Sequence, residues 1–384
     1  MKDFNKKENK IVVVHYGNIM LYPPVINLVE NLINNDYSVT LMAGNTKKLP
    51  DFVLKSSNLQ IIDFPIIASK KIIKRLQRRF LIGHYYKDAL RKIMDPGDIV
   101  WTTTDSTVRA LNTALLKYKH IMQLMELDDF FPLFDGAKLL KFNLEKYGKH
   151  AWKIVVPEIN RAYIQKVKWR LKETPCILPN KPYYLSPGEM DDSVIRAIEI
   201  IEKDPRKKIM YLGVLSVDRN LEPFAKAVEK MGEDYALYTL GNVPNSEQEK
   251  FNQFLAKHPQ VFYLGFFNPP NHLHFLKYAY VGLTPYSTDF KSIFISPLNV
   301  LYCAPNKIYE YAGYGIPMLG TDVLGLKIPF EQYGIGFCCI NLEPETIAKG
   351  LKYIDINHEK MRQNCLRFYE DTDLDKILAS IING

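Results

Sequence analysis

The feature that most restricts this chain is a rhythm. Residues 11–16 read IVVVHY, a β-branched run with no polar alternation. Such a strand has no face to offer water, so it belongs in a parallel sheet covered on both sides. Gly17 and Asn18 end it. PPVINLVENLINN then places apolar residues at helical spacing, and YSVTLMAG is a second buried-type strand. Parallel neighbours can be joined only by a crossover, so strand, helix, strand with short connections commits the chain to a doubly wound α/β class. The unit recurs as NLQIIDFP, a helix to about residue 94, GDIVWTTT, a helix near 106–117, HIMQLMEL, a helix near 136–150, WKIVVPE and finally TPCILPN.

At 384 residues the chain exceeds one ordinary core, and two domains are the default. Around 180–190 the text changes to NKPYYLSPGEMDD, a Pro, Ser and Gly cluster that reads as a linker. A second cycle follows: KKIMYLGVL, NLEPFAKAVEKM, DYALYTLG, QEKFNQFLAKH, VFYLGFF, HLHFLKYA, VGLTPY, the helix NKIYEYAGYG, PMLGTD and IGFCCI, then a helical tail from about 344. The expected boundaries are 1–183, 184–356, and a terminal helix over 357–384 packing back on the first domain. Two tandem sheets of this kind place ligands at strand carboxyl ends, facing a cleft between the domains.

Composition narrows the class further. Apolar residues make up 47% and charged residues 24%, ordinary for a globular enzyme, while a net charge of +8 favours an anionic partner. The five cysteines have no metal-ligand spacing and an odd count, which points to buried thiols and a reducing cytoplasm. MKDFNKKENKIVVVHY has no signal-peptide pattern, and no apolar run approaches the roughly 18 residues of a spanning helix.

The most chemically suggestive stretch is PNKIYEYAGYGIP, residues 305–317. Asn306 can cap a helix. Lys307 and Glu310 stack on one face because residues three apart are neighbours. Ala312 and Gly313 allow close approach, Gly315 can adopt positive φ, and Pro317 stops the helix. A carboxylate can accept both hydroxyls of a ribose, and an ammonium can meet a diphosphate at a helix start. As a surface pair the same two residues would contribute only ~0.2–0.5 kcal/mol.

PNKIYEYAGYGIPMLGTD resembles the C-terminal signature of GT-B glycosyltransferases, in the form P-x-K-x-x-E-Y. KIMYLGVLSVDRNLE and VFYLGFFNPPNHLHFLKYAYVGLTPY are similar to that fold's glycine turn and base-binding block, and WKIVVPEINRAY with CILPNKP resembles the passage that closes its first domain. The resemblance implies two tandem Rossmann-like domains and a nucleotide-sugar donor. It implies that Glu310 meets the donor ribose and Lys307 the diphosphate. The family's other acidic position falls at Tyr302, a departure that Lys307 is expected to offset. Gly213 and Arg219 match the turn and basic residue near the phosphates, Phe266 and Phe267 stand where the base sits, and Tyr286 and Asn306 are further donor-side residues. The sugar would pass from a nucleotide sugar, UDP being the commonest choice in the family, to a glycan or lipid-linked acceptor in surface polysaccharide synthesis.

Transfer with inversion needs a base for the acceptor hydroxyl and a stabilised leaving group. HIMQLMELDDFFP ends a strand and presents Glu126, Asp128 and Asp129 at once. Asp128 or Asp129 is the expected base, its pKa raised by the adjoining phenylalanines. His15, Gly17 and Asp105 end neighbouring strands and are assigned to the acceptor, with Asp105 a rival base. No Asp-x-Asp with polar metal ligands is present, so neither metal nor cofactor is expected. Residues 70–92 carry nine basic residues against one acid, Asp88, with apolar positions at helical spacing. That pattern suits an anionic membrane face or a diphosphate-linked lipid. It lacks the aromatic strand platform of a nucleic-acid binder, so no nucleic-acid partner is expected. The expected location is cytoplasmic, peripheral on the inner membrane face. The alternatives are a nucleotide-sugar epimerase of the same fold and a non-catalytic sugar-nucleotide-binding scaffold.

Overall fold

The computed structural model describes residues 9–66, 72–134, 137, 139–216, 219–287 and 296–384, with the side chains of 72–80 left out. The chain divides into two compact units. Unit 1 takes the chain up to Tyr183, the described residues 296–299, and Asp373–Gly384; unit 2 takes Tyr184 onward and ends at Thr372.

Unit 1 is built on seven parallel strands: β1 (Lys10–Asn18), β2 (Ser38–Gly44), β3 (Leu59–Phe64), β4 (Ile99–Thr102), β5 (Lys119–Gln123), β6 (Lys153–Val156) and β7 (Cys176–Ile177), in the order β3-β2-β1-β4-β5-β6-β7. The β-branched run of β1 explains its central place. Ile11 and Val13 join one core with Val25, Leu28 and Leu32 of the helix Pro23–Asn34. Val12 and Val14 join the opposite core with Tyr86 and Val108. All four are fully buried. Each such side chain contributes about 1.5–3 kcal/mol relative to exposure.

Unit 2 repeats the plan with six parallel strands: β8 (Lys207–Leu212), β9 (Tyr235–Leu240), β10 (Val261–Gly265), β11 (Ala279–Thr284), β12 (Met318–Thr321) and β13 (Gly336–Cys339), in the order β10-β9-β8-β11-β12-β13. Met210 and Leu212 face one core, Ile209 and Tyr211 the other. In both sheets the order reverses beside the first strand, between β1 and β4 and between β8 and β11. Strand order of that kind opens a crevice at the carboxyl ends of the reversing pair.

Several local expectations change. The terminal segment 357–384 does not move as one piece. The helix Pro344–Asp371 stays with unit 2, and only the helix Leu374–Asn383 joins unit 1, burying Leu374, Leu378, Ile381 and Ile382 beside the helix Pro23–Asn34. The helix expected near 136–150 covers only Leu144–His150. A helix that the pattern did not suggest, Leu324–Tyr333, separates β12 from β13 with Pro329 inside it. In the basic segment 70–92, Lys70 and Lys71 lie outside the described residues. Within the helix Ile72–Ile93, Ile82, Tyr86 and Leu90 recur four apart and are buried in the core, while Leu81 and Tyr85 are exposed. Arg91 and Lys92 both pair with Asp88. Among the described residues no helix is long and apolar enough to cross a membrane.

Candidate functional site

In unit 2 three adjacent strands end in glycines with positive φ: Gly213 (140°), Gly241 (150°) and Gly265 (109°). These turns are stitched side by side. Gly213 N–H donates to Leu240 O and Gly241 N–H to Gly265 O, each at 2.9 Å. A Cβ on Gly241 would stand 1.6 Å from the carbonyl oxygen of Gly213, so bare backbone is a steric requirement here.

Lys307 lies against this turn. A Cβ on Gly213 would fall 2.6 Å from its Nζ, and the ammonium sits 4.4 Å from the centre of the Tyr211 ring. The residue keeps some surface open along its length, while its ammonium end is enclosed. Burial pushes its pKa down to about 7; the Arg219 charge adds to the fall, and Glu310 and Cys303 oppose it. Apart from the Tyr211 ring, Lys307 has no hydrogen-bond or ion-pair partner among the described residues.

The helix Lys307–Gly313 is held by Tyr311, a fully buried ring packed on Gly282, whose hydroxyl donates to Met210 O at 3.0 Å and accepts from Leu212 N–H at 3.3 Å. That anchor fixes the direction of Lys307 one turn before it and of Glu310 beside it. Gly315, at φ 67°, ends the helix; Ile316 N–H returns to Tyr311 O and Gly315 N–H to Ala312 O, both at 2.9 Å. Asn306 is not the expected side-chain cap. It is already helical (φ −57°, ψ −35°), so its side chain is turned from the first-turn amides, and its carbonyl accepts from Tyr309 and Glu310 N–H instead. Ala312 is buried, and Gly313 leaves room for the Leu185 side chain rather than for a backbone.

Glu310 Oε1 lies 3.5 Å from His272 Nε2, both side chains mostly buried, and His272 Nδ1 is buried without a hydrogen-bond partner. Arg219 lays its guanidinium 4.5 Å from the Tyr286 ring and donates to Pro285 O at 3.4 Å, just past the end of β11. Arg219 and Gly213 therefore stand at the reversal point of the second sheet. Phe266 and Phe267 part company. Phe266 is 54% exposed beyond β10, whereas Phe267 packs against Phe275 of the core at 4.6 Å.

Unit 1 gathers a different set at its own reversal point. His15 is fully buried near the end of β1, its Nδ1 2.9 Å from Thr103 Oγ1 just beyond β4 and its Nε2 without a partner. Burial holds its pKa near 4. Tyr22 packs on the imidazole with ring centres 4.6 Å apart. Burial raises the Tyr22 phenol, and the charges of Glu126 and Asp105 raise it further, so those carboxyls face it too. Gly17, φ 127°, has open space where a side chain would project.

Asp105 opens the helix Asp105–Leu111 behind the Thr104 cap and is 8% exposed. Its carboxyl faces that of Asp128, which lies on the loop after β5. Burial and the neighbouring charges of Asp128 and Glu126 lift Asp105 well above the usual carboxylate range, against the opposing charge of Arg109. Asp128, less deeply placed, is raised to about 6 by burial and by Glu126 and Asp129, while the bond from Asp105 and the charge of Lys168 hold it down. Asp129 points elsewhere. It is 53% exposed and pairs with Lys168 at 2.7 Å, and despite some desolvation the bonds from Lys168 and Ser296 keep it below its ordinary value. Glu126 is exposed and accepts from Asn299 Nδ2 at 2.5 Å. Among the described residues no group of three His, Cys, Asp or Glu is placed to hold a metal ion.

Lys307, Glu310, Gly213, Arg219 and Tyr286 thus surround one set of strand ends, and His15, Gly17, Asp105, Asp128 and Glu126 another. Phe267 packs against Phe275 and Asp129 pairs with Lys168, away from the partners expected of them, while Asn306 adjoins Lys307 without serving as a side-chain cap. Sequence reasoning missed Tyr211, His272, Thr103, Tyr22 and Arg161. Arg161 is 4% exposed and donates to Met125 O at 2.7 Å and Asn299 O at 3.0 Å, holding the loop that carries Asp128. An arginine inside WKIVVPEINRAY, just after a strand, was the available signal.

No family model and no curated protein matches this sequence. Solved structures match along nearly its whole length. The Anabaena protein HepE in complex with UDP and glucose superposes with a TM-score of 0.67 at 12% identity, covering 97% of this chain and 98% of that one. A glycosyltransferase from Rickettsia africae gives 0.63 at 11% identity, covering 97% and 96%. A protein from Listeria monocytogenes described as a UDP-N-acetylglucosamine 2-epimerase gives 0.57 at 13%, covering 95% and 91%. The fold they share with this chain is GT-B.

Proposed function

We propose that this GT-B chain is a glycosyltransferase that moves a sugar from a UDP-sugar to a hydroxyl of a glycan or lipid-linked acceptor, with inversion and without a metal, in surface polysaccharide synthesis. The observation that carries the reading is Lys307: an enclosed cation with no hydrogen-bond or ion-pair partner among the described residues, set against the bare Gly213 turn and one helical turn from Glu310. A buried cation without a partner is costly unless a ligand completes it. A diphosphate does so, and each charge-assisted hydrogen bond it forms contributes about 1.5–3 kcal/mol.

In this reading Lys307 and Arg219 neutralise the diphosphate, and their hold strengthens as negative charge develops on the leaving oxygen. Glu310, steadied by His272, accepts the ribose hydroxyls. Gly213 leaves space that any side chain would take. Phe266 offers its exposed ring to the base. UDP is chosen because HepE was obtained with UDP and glucose. Asp128 is the base. With a pKa of about 6 it is mostly ionised at pH 7 yet basic enough to take a hydroxyl proton as the bond forms. Asp129, committed to Lys168, is not assigned that role. His15 Nε2 and Gly17 line the acceptor side, and the segment 70–92 meets the anionic surface or lipid from which a lipid-linked acceptor is drawn.

The test is a thermal-shift screen of nucleoside diphosphates and nucleotide sugars without metal. UDP raises the melting point of the parent, and Lys307→Ala or Glu310→Ala keeps the fold but loses the shift. An unshifted parent across the whole screen overturns the proposal. The Listeria neighbour keeps an epimerase in view: release of UDP from a UDP-sugar through a free intermediate, with no acceptor consumed, would favour it.

A further inference from the structure

We infer that Asp105 and Asp128 work as one unit that shares a single proton, held on Asp105, and that Asp105 is the positioning residue of the proposed base. Two buried carboxyls that face each other do not both ionise, and they can hydrogen-bond once one of them carries a proton. The environments decide which one keeps it. Asp105 is nearly enclosed, and its Oδ1 is buried without a hydrogen-bond donor among the described residues. The cation acting on it, Arg109, directs Nη1 to Pro132 O at 2.8 Å and lies 4.7 Å from the Phe131 ring. Glu126 and Tyr22 face the pair as well, and neither offers a positive charge. Asp128 has more solvent and has Lys168 close by, donating to its backbone carbonyl at 2.8 Å. The negative charge therefore rests on Asp128, and the Asp105 proton points at it. Burial and the raised pKa of both groups agree with that division.

A donated proton does two things for Asp128. It fixes the orientation of the carboxylate, and it stabilises the charged form so that the base is ionised near neutrality despite Glu126 and Asp129 beside it. The role of base rests on the glycosyl-transfer reading; the shared proton does not.

The proton can be read in the full chain without substrate, from the infrared C=O stretch of protonated carboxyls at pH 7. Glu30, 6% exposed and raised to about 8 by burial, gives its own band, so Glu30→Gln is the background. On that background Asp105→Asn removes the remaining band from the pair; an unchanged band overturns the proposal. Asp105→Ala, which withdraws the donor, moves the Asp128 titration up by about one unit. Asp105→Asn, whose amide still donates, leaves it within a few tenths. Equal shifts in the two variants reduce Asp105 to a packing role and contradict the inference. A band that vanishes as expected beside Asp128→Asn protein that still consumes UDP-glucose at the parental rate sinks the base assignment and leaves the shared proton intact.

Discussion

The two units end their sheets in the same way and fill the ends with opposite chemistry. In unit 2 the reversal point gathers two cations and one carboxylate: Lys307 with no ion-pair partner among the described residues, Arg219 on the Tyr286 ring, Glu310 beside them, and glycines that keep side chains out. In unit 1 it is acidic and crowded: Asp105 facing Asp128, Glu126 nearby, and a buried His15 whose Nε2 has no partner among the described residues. The backbone solves one problem twice, and the side chains line one set of strand ends with basic groups and glycines and the other with carboxyls. Architecture supplies the position; local charge balance supplies the role.

The comparison breaks most sharply at Asp128. Asp128→Asn should lower turnover of a UDP-sugar with acceptor by about 10²–10⁴-fold, as expected for loss of a general base, while UDP binding is unchanged. Steady-state rates beside a UDP titration check this, and loss of binding would erase the proposed division of labour.

Next in size is His15. Its folded pKa, about 4, lies below the unfolded 6.5, so the unfolded chain binds more protons between those values. Stability from this group is full above pH 6.5 and falls as pH drops toward 4, by up to about 3 kcal/mol. Denaturant titrations at pH 7 and pH 4.5 should show a smaller pH loss in His15→Gln than in the parent.

Lys307 follows the same sign over a higher pH window. Its folded pKa of about 7 lies below the unfolded 10.5, so an enclosed ammonium costs stability fully below pH 7, and the cost fades as pH rises toward 10.5. Lys307→Met should therefore be more stable than the parent at pH 6, with the gap closing by pH 10. Chemical denaturation at the two pH values reads it, and a gap that widens with pH would contradict the enclosed position. The smallest effect belongs to Lys168→Ala. The pair with Asp129 is largely exposed, so stability should change by less than about 1 kcal/mol.

The rhythm of the fold was legible because an unbroken β-branched run and a 3.6-residue period each have one physical solution. IVVVHY became the central strand for that reason. The helix Leu324–Tyr333 was not legible because Gly325 and Pro329 interrupt its pattern, and only packing of Leu326 and Phe330 in the core restores it. The stop at Gly315 could be read from residue type, since positive φ selects glycine; the cap at Asn306 could not, because an asparagine fits a cap or a first helical turn equally. The pair of Asp105 and Asp128 is invisible in sequence. It exists because β4 and β5 are neighbours in the sheet and their carboxyl ends deliver two distant residues to one place.

In the proposed reaction unit 2 grips the diphosphate and unit 1 takes the proton. Calorimetric titration of UDP at pH 7 into the parent, Lys307→Ala and Asp128→Asn tests it most directly. The account predicts equal affinity for the parent and Asp128→Asn and at least about tenfold weaker binding for Lys307→Ala, a loss of about 1.4 kcal/mol or more. Binding that survives Lys307→Ala unchanged, or that disappears with Asp128→Asn, would contradict it.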